Sequence, residues 1–225
     1  MMKVKLPKIH ALLNGKCEID MDSDKRNGIE LKKASDDLAR RVRRCELCRD
    51  ALPLGPRPVV QFSHTSKMLI IGQAPGLKVH NSGIPFNDPS GVRLRQWLNL
   101  APERFYDPAQ VAIIPMGFCY PGRGRNGDNP PDPRCAPLWH RQIRAMMPQI
   151  ELTLLVGQYA QRHYLEQFDS VTQSVRRWRT HLERGMIALP HPSPRNNLWL
   201  RRNPWFEAEL IAPLQQRVAA ALGDG

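Results

Sequence analysis

The sequence lacks any apolar run long enough to cross a lipid bilayer, and its first 28 residues lack the hydrophobic segment of a secretory signal peptide. It also lacks an internal repeat, a P-loop and the glycine fingerprint of a dinucleotide-binding fold. These absences favour a cytoplasmic protein without a membrane partner. They disfavour a nucleotide hydrolase.

Acidic residues are scarce relative to basic ones. The 225 residues include 33 Lys and Arg but only 21 Asp and Glu, which gives a formal net charge of +12. An excess of this sign favours polyanionic partners such as nucleic acid. Arginines also cluster near a late proline-rich loop and on a predicted helix: Arg195, Arg201, Arg202, Arg176, Arg177 and Arg179. We therefore expect DNA as the partner.

Short apolar runs alternate with longer helical stretches along the chain. The runs predict strands at 68–71, 111–116, 151–156 and 186–189. The stretches predict helices at 29–44, 90–99, 135–147, 159–168, 170–179 and 204–222. This alternation predicts an α/β fold, a single-domain three-layer αβα sandwich with a central, mostly parallel four-stranded sheet. We expect a monomer with this domain at residues 29–225, after a flexible or irregular leader at 1–28.

Two short loops directly follow predicted strands. Residues 72–76 read Gly-Gln-Ala-Pro-Gly after the first strand, and residues 191–194 read His-Pro-Ser-Pro after the last. Parallel strands end at one edge of a sheet, where open α/β folds bind ligands. One loop offers backbone amides and an amide side chain, and the other a histidine on a stiff stem. The loops predict one site, with ordinary turns as the alternative.

Four of the five cysteines form two pairs. Cys45 and Cys48 make a C-x2-C motif, and Cys119 and Cys135 flank a Gly- and Pro-rich loop. Because cytoplasmic thiols stay reduced, we interpret these four as ligands and not as disulfides. Four thiolates suit either tetrahedral zinc or a [4Fe-4S] cluster, and spacing does not separate the two. Cys17 is predicted to be a free thiol.

Taken in order, these motifs resemble the uracil-DNA glycosylase superfamily, most closely its iron-sulfur branch, often called family four. That branch combines an early C-x2-C, a strand ending in Gly-Glu-Ala-Pro-Gly, a Gly-x-Pro-Phe segment, a cysteine pair around a Gly/Pro loop and a late histidine-proline motif. This chain has counterparts of all five, with the Gly-x-Pro-Phe segment at 83–86. The resemblance covers nearly everything from Ile29 to Leu222.

The resemblance implies a monofunctional DNA repair glycosylase. Such an enzyme flips uracil or another deaminated or damaged base out of the duplex and hydrolyses its N-glycosidic bond. It would also carry a [4Fe-4S] cluster on the four paired cysteines, with structural zinc as the alternative.

The resemblance also implies roles for single residues. Phe86 would stack on the flipped base, and His191 would donate a hydrogen bond to the departing base. Backbone amides of Gln73 and Ala74 would add donors. The DNA-binding candidates, which would grip phosphate or fill the gap left by the base, are Ser193, Arg195 and Asn196.

Two departures from the branch bear on activity. Gln73 stands where the branch has an acidic residue, and its amide can orient water but cannot accept a proton as a base. Asp88 is the nearest carboxylate in sequence, with a helix cap as its alternative role. Pro115 stands where the branch has a base-reading asparagine, so Asn87 or Gln73 would have to substitute. A catalytically weak or inactive DNA-binding relative is therefore the second hypothesis.

Overall fold

A computed structural model describes residues 21–125 and 127–223. Most of the predicted leader, including Cys17, lies outside this part of the chain. The strands are β1 (Met68–Ile71), β2 (Val111–Ile113), β3 (Arg123–Gly124), β4 (Gly127–Asp128), β5 (Leu152–Val156) and β6 (Met186–Leu189). The α-helices are α1 (Met21–Arg43), α2 (Leu77–Ser82), α3 (Pro89–Leu98), α4 (Pro102–Phe105), α5 (Cys135–Ala145), α6 (Gln158–Tyr164), α7 (Val171–Arg176), α8 (Trp178–Leu182), α9 (Asn197–Arg202) and α10 (Ile211–Leu222).

A four-stranded parallel sheet forms the centre of the fold. Its strand order is β2-β1-β5-β6, and all three pairings are parallel. The residues of β1 and β2 are all buried, as expected for strands covered on both faces. Helices flank the sheet: α10 packs on β1 and β5, while α7 and α8 pack on β6. The predicted fold class is confirmed.

The strand order determines where a ligand can bind. The chain passes from β1 to β2 on one side and then crosses to β5 on the other side of β1. This reversal opens a crevice at the carboxyl ends of the strands, next to β1. All four strands point their carboxyl ends toward that edge.

Several element bounds differ from the prediction. Strand β2 ends at Ile113, although Ile114 and Met116 still donate backbone hydrogen bonds to the carbonyls of Ile70 and Gly72. Helix α6 ends at Tyr164, and Arg177 separates α7 from α8. A π-helical turn, Phe206–Leu210, precedes α10.

Helix α1 begins eight residues before the predicted start. It therefore extends into the segment that we expected to be a flexible or irregular leader. Gly28 lies inside this helix, and in the part of the chain that the structure describes no atom beyond the adjacent helix backbone lies within 4 Å of a Cβ placed there. One glycine costs a helix only about 1 kcal/mol relative to alanine, which is too little to end it.

The segment 121–133, predicted as a loop, contains an antiparallel ribbon of β3 and β4. Arg123 pairs with Asp128 and Gly124 with Gly127. Gly127 has a φ of 136°, which favours glycine.

In the described part of the chain, no helix has both the length and the apolar composition of a membrane span.

Candidate active site

A cavity of about 460 Å³ opens at the carboxyl edge of the sheet. Each parallel strand supplies part of its wall through the residues that follow it: Gln73 after β1, Pro115 after β2, Gln158 after β5 and His191 after β6. The volume falls within the range of small-molecule sites in proteins.

The structure brings together most of the residues predicted from sequence. Eight of the nine predicted catalytic, base-binding and DNA-binding residues line this cavity: Gln73, Ala74, Phe86, Asp88, His191, Ser193, Arg195 and Asn196. Asn87 is the exception, because its side chain is exposed and lies outside the lining. Gln158 and Asp128 also line the cavity, and the sequence analysis assigned neither of them to a site.

Phe86 has a strained backbone conformation at the cavity wall. Its φ is 53°, a left-handed value that is uncommon for a bulky residue. The ring packs edge-on against Phe105, with centroids 6.2 Å apart, and its Cζ lies 3.3 Å from the position of a Cβ on Gly72. A Cβ on Gly91 would overlap the Phe86 carbonyl oxygen. Two glycines therefore make room for this aromatic wall.

His191 is held in one tautomer by its own loop. Its Nδ1 accepts a hydrogen bond from the Ser193 backbone N–H at 3.2 Å. Burial lowers the pKa of His191, with an opposing contribution from Asp88 and a reinforcing one from Arg195. The ring is therefore neutral at neutral pH and carries its proton on Nε2, which makes that atom a hydrogen-bond donor.

The loop of His191 is further held by side chains. Asn196 donates from Nδ2 to the His191 carbonyl oxygen at 2.7 Å. The Ser193 hydroxyl accepts the Arg195 backbone N–H at 3.3 Å, which caps a short turn. Gly157, whose φ is 82°, packs against the ring. A Cβ atom added to Gly157 would lie 3.6 Å from His191 Cδ2.

Asp88 caps helix α3. Its Oδ1 accepts the Gly91 backbone N–H at 2.9 Å, which is the structural role that the sequence left open. The same side chain borders the cavity and acts electrostatically on His191. One of its oxygens is thus engaged in holding the helix.

The loop after β1 is held by the chain that follows β2. Met116 and Gly117 donate backbone hydrogen bonds to the carbonyls of Gly72 and Gln73 at 2.9 and 3.0 Å. The backbone N–H groups of Gln73 and Ala74 donate to no acceptor in the described part of the chain. Two donors at the cavity wall are therefore free for a ligand.

Pro115 forms an apolar part of the wall, and a buried histidine holds its carbonyl. His140 donates from Nε2 to the Pro115 oxygen at 3.0 Å, and its Nδ1 lies 2.6 Å from the Tyr164 hydroxyl. The ring stacks on Phe118 with centroids 5.7 Å apart. Burial lowers the pKa of His140 to about 4. The neutral ring donates to the carbonyl and accepts from the hydroxyl.

This histidine makes stability depend on pH. Its pKa is about 4 when folded and 6.5 when unfolded, so the stabilisation is complete above about pH 6.5 and is lost as pH falls toward 4. The shift corresponds to about 3 kcal/mol of unfolding free energy. We expect His140→Gln to reduce the loss measured by urea unfolding between pH 7 and pH 4.5. Equal losses in both proteins would contradict this assignment.

The four paired cysteines line a second, apolar cavity. All four are free thiols. The Phe118 backbone N–H donates to Cys135 Sγ and the Trp139 indole to Cys45 Sγ, both at 3.4 Å. Burial raises the pKa of Cys119 to about 11 and that of Cys135 to about 12. Among the described residues, no three Cys, His, Asp or Glu side chains are arranged to hold a single metal ion.

The chain is similar to known proteins. A family model described as "Uracil DNA glycosylase superfamily" matches residues 59–215. A type-4 uracil-DNA glycosylase of Sulfurisphaera tokodaii is 30% identical over 114 residues, an alignment that covers 48% of this chain and 49% of the relative. The match thus spans about half the length of that curated relative.

Proposed function

The chain belongs to the uracil DNA glycosylase superfamily, and from this membership we propose that it hydrolyses the N-glycosidic bond of a damaged base in DNA. Uracil is the first candidate, since the aligned relative is named for it, and other deaminated bases follow. The observation that carries the proposal is the convergence of Gln73, Phe86 and His191, remote in sequence, on one cavity.

The cavity holds groups that would assist cleavage of this bond. As the bond breaks, negative charge grows on the departing base, so hydrogen-bond donors aimed at the base accelerate the step. His191 Nε2 and the free N–H groups of Gln73 and Ala74 would be such donors. Phe86 would stack on the flipped base. Ser193, Arg195 and Asn196 would bind the DNA backbone beside it.

A catalytically weak DNA-binding relative is the second candidate. Gln73 cannot act as a base, and Pro115 presents no side-chain donor or acceptor to a base edge. Asn87, one of the two proposed substitutes for the missing reader, lies outside the cavity lining. These observations favour either altered base specificity or lost activity.

A base-release assay separates the two candidates. Purified protein is incubated with single- and double-stranded DNA that contains one uracil, hypoxanthine or xanthine, and alkali-labile abasic sites are counted. Undamaged DNA of the same sequence is the control. Release of any one base supports the glycosylase. Binding to DNA without release from the whole panel supports the inactive relative.

We further propose that Cys45, Cys48, Cys119 and Cys135 hold a [4Fe-4S] cluster. The four thiols line one cavity, and four thiolates are the ligand set that such a cluster takes, with structural zinc as the alternative. The N–H donors to Cys45 and Cys135 would stabilise ligated thiolates. When bound, the cluster would tie the segment after α1 to the chain that follows β2.

The cluster has a spectroscopic test. Protein purified without oxygen should be brown, with a broad visible absorbance and iron and sulfide in cluster stoichiometry. Cys119→Ser should lose this absorbance because one thiolate ligand is gone, whereas the matched control Cys17→Ser should keep it. A colourless protein with stoichiometric zinc would establish the alternative.

A cytoplasmic location and a monomeric state stay predictions.

A further inference from the structure

The proposed reaction needs a carboxylate that the first loop does not supply. Departure of the base leaves positive charge on the sugar, and the attacking water must lose a proton. A carboxylate serves both needs, while the Gln73 amide serves neither. Asp88 lines the cavity but commits one oxygen to the cap of α3.

Asp128, the last residue of β4, places a second carboxylate at the same cavity. Its Oδ2 lies 3.5 Å from the position that a Cβ on Gly76 would occupy, so the carboxylate faces the end of the first loop. Its side chain is exposed. Within the described residues, this carboxylate has no hydrogen bond and no ion pair, so both oxygens are available.

The ribbon that carries Asp128 is fastened to both site loops. Gln73 donates from Nε2 to the Asn129 carbonyl at 3.4 Å, which joins the ribbon to the loop after β1. On the other side, the Arg195 guanidinium lies against Gly127, where a Cβ atom would overlap it. Asp128 is therefore held between the two loops that form the site.

The base of the ribbon is also fixed. The Asn129 backbone N–H donates to Gly122 O at 2.9 Å, and its side chain donates from Nδ2 to Pro121 O at 3.1 Å. Gly122 packs closely on Pro53, since a Cβ there would lie 2.8 Å from Pro53 Cγ. These contacts limit the positions that the backbone of Asp128 can take.

We propose that Asp128 is a catalytic residue that activates the attacking water and stabilises the cationic sugar. The C1′–N bond breaks and its electron pair stays on the base, which leaves as an anion hydrogen-bonded to His191. The water oxygen forms the new bond to C1′, and its proton passes to the Asp128 carboxylate and then to solvent. The base anion takes up a proton from solvent, so the net reaction consumes one water.

This inference rests on the proposed glycosylase activity. Asp128→Asn tests it, because the substitution removes the carboxylate but keeps the size and shape of the side chain. Under single-turnover conditions we expect the rate of base release to fall by about 100-fold or more, the usual range for loss of a general base. Affinity for DNA that carries the damaged base should be unchanged or higher, because a negative charge near the phosphates is removed. Asp128→Glu, which keeps the charge, should recover part of the rate.

The control variant and the wild type show whether the role of Asp128 fails or the glycosylase activity itself. Glu207→Gln removes one exposed negative charge outside the cavity lining and should leave the rate unchanged. If wild type releases base and Asp128→Asn does so equally fast, the role of Asp128 is overturned while the glycosylase stands. Equal losses of rate and affinity would assign Asp128 to DNA binding and overturn its catalytic role. A wild type that releases no base from the panel defeats both proposals.

Discussion

Replacing His191 with alanine is expected to slow base release by about 100- to 1,000-fold, the usual cost of losing one donor to a developing anion. Ser193 occupies Nδ1, so Nε2 is the donor that the variant loses. Burial lowers the pKa of His191, so the donor is neutral throughout the neutral pH range and the effect should persist there. Single-turnover base release measures it.

Two further variants test whether the loss of rate is specific to the His191 donor. His64→Ala removes a histidine that does not line the cavity and should leave base release unchanged. His191→Gln keeps a side-chain donor and should fall between wild type and His191→Ala. DNA affinity should change little, because the donor acts on the departing base. If His191→Ala cleaves as fast as wild type, the base departs without this hydrogen bond.

The central sheet could be predicted closely from the sequence. Strands β1 and β6 have the predicted bounds because each is a four-residue apolar run followed directly by a loop of distinctive composition. Parallel pairing then places the two loops at one edge, which brings Gln73 and His191 to the same cavity. The apolar runs in the sequence and the parallel pairing of the strands therefore predict the same site.

Features that depend on tertiary contacts could not be read in this way. Strands β3 and β4 have two residues each, which is too short for any periodicity, so Asp128 gave no signal as a site residue. Asn87 is adjacent to a cavity residue in sequence, but it is exposed and lies outside the lining. Gln158, in contrast, could have been assigned to the site from the sequence, because it follows a predicted strand as Gln73 does.

Gly91→Ala is expected to cause the largest loss of stability among single methyl additions at the site. The new Cβ would lie 2.7 Å from the Phe86 carbonyl carbon and would overlap its oxygen. These are backbone atoms and cannot rotate away, so the chain must shift. The shift would disturb both the strained Phe86 and the hydrogen bond from Gly91 to Asp88. We expect the free energy of unfolding to fall by about 3 kcal/mol.

Gly28→Ala is the matched control for this loss, because both glycines lie inside helices. At Gly28, among the described residues, no atom outside the adjacent helix backbone lies within 4 Å of the new methyl group, so helix propensity is the expected change. The control should gain about 1 kcal/mol, whereas Gly91→Ala loses several times that amount. Urea unfolding measures both, and base release should fall only in Gly91→Ala. A Gly91→Ala protein as stable as wild type would show that the wall formed by Phe86 can yield, and that glycine is not required there.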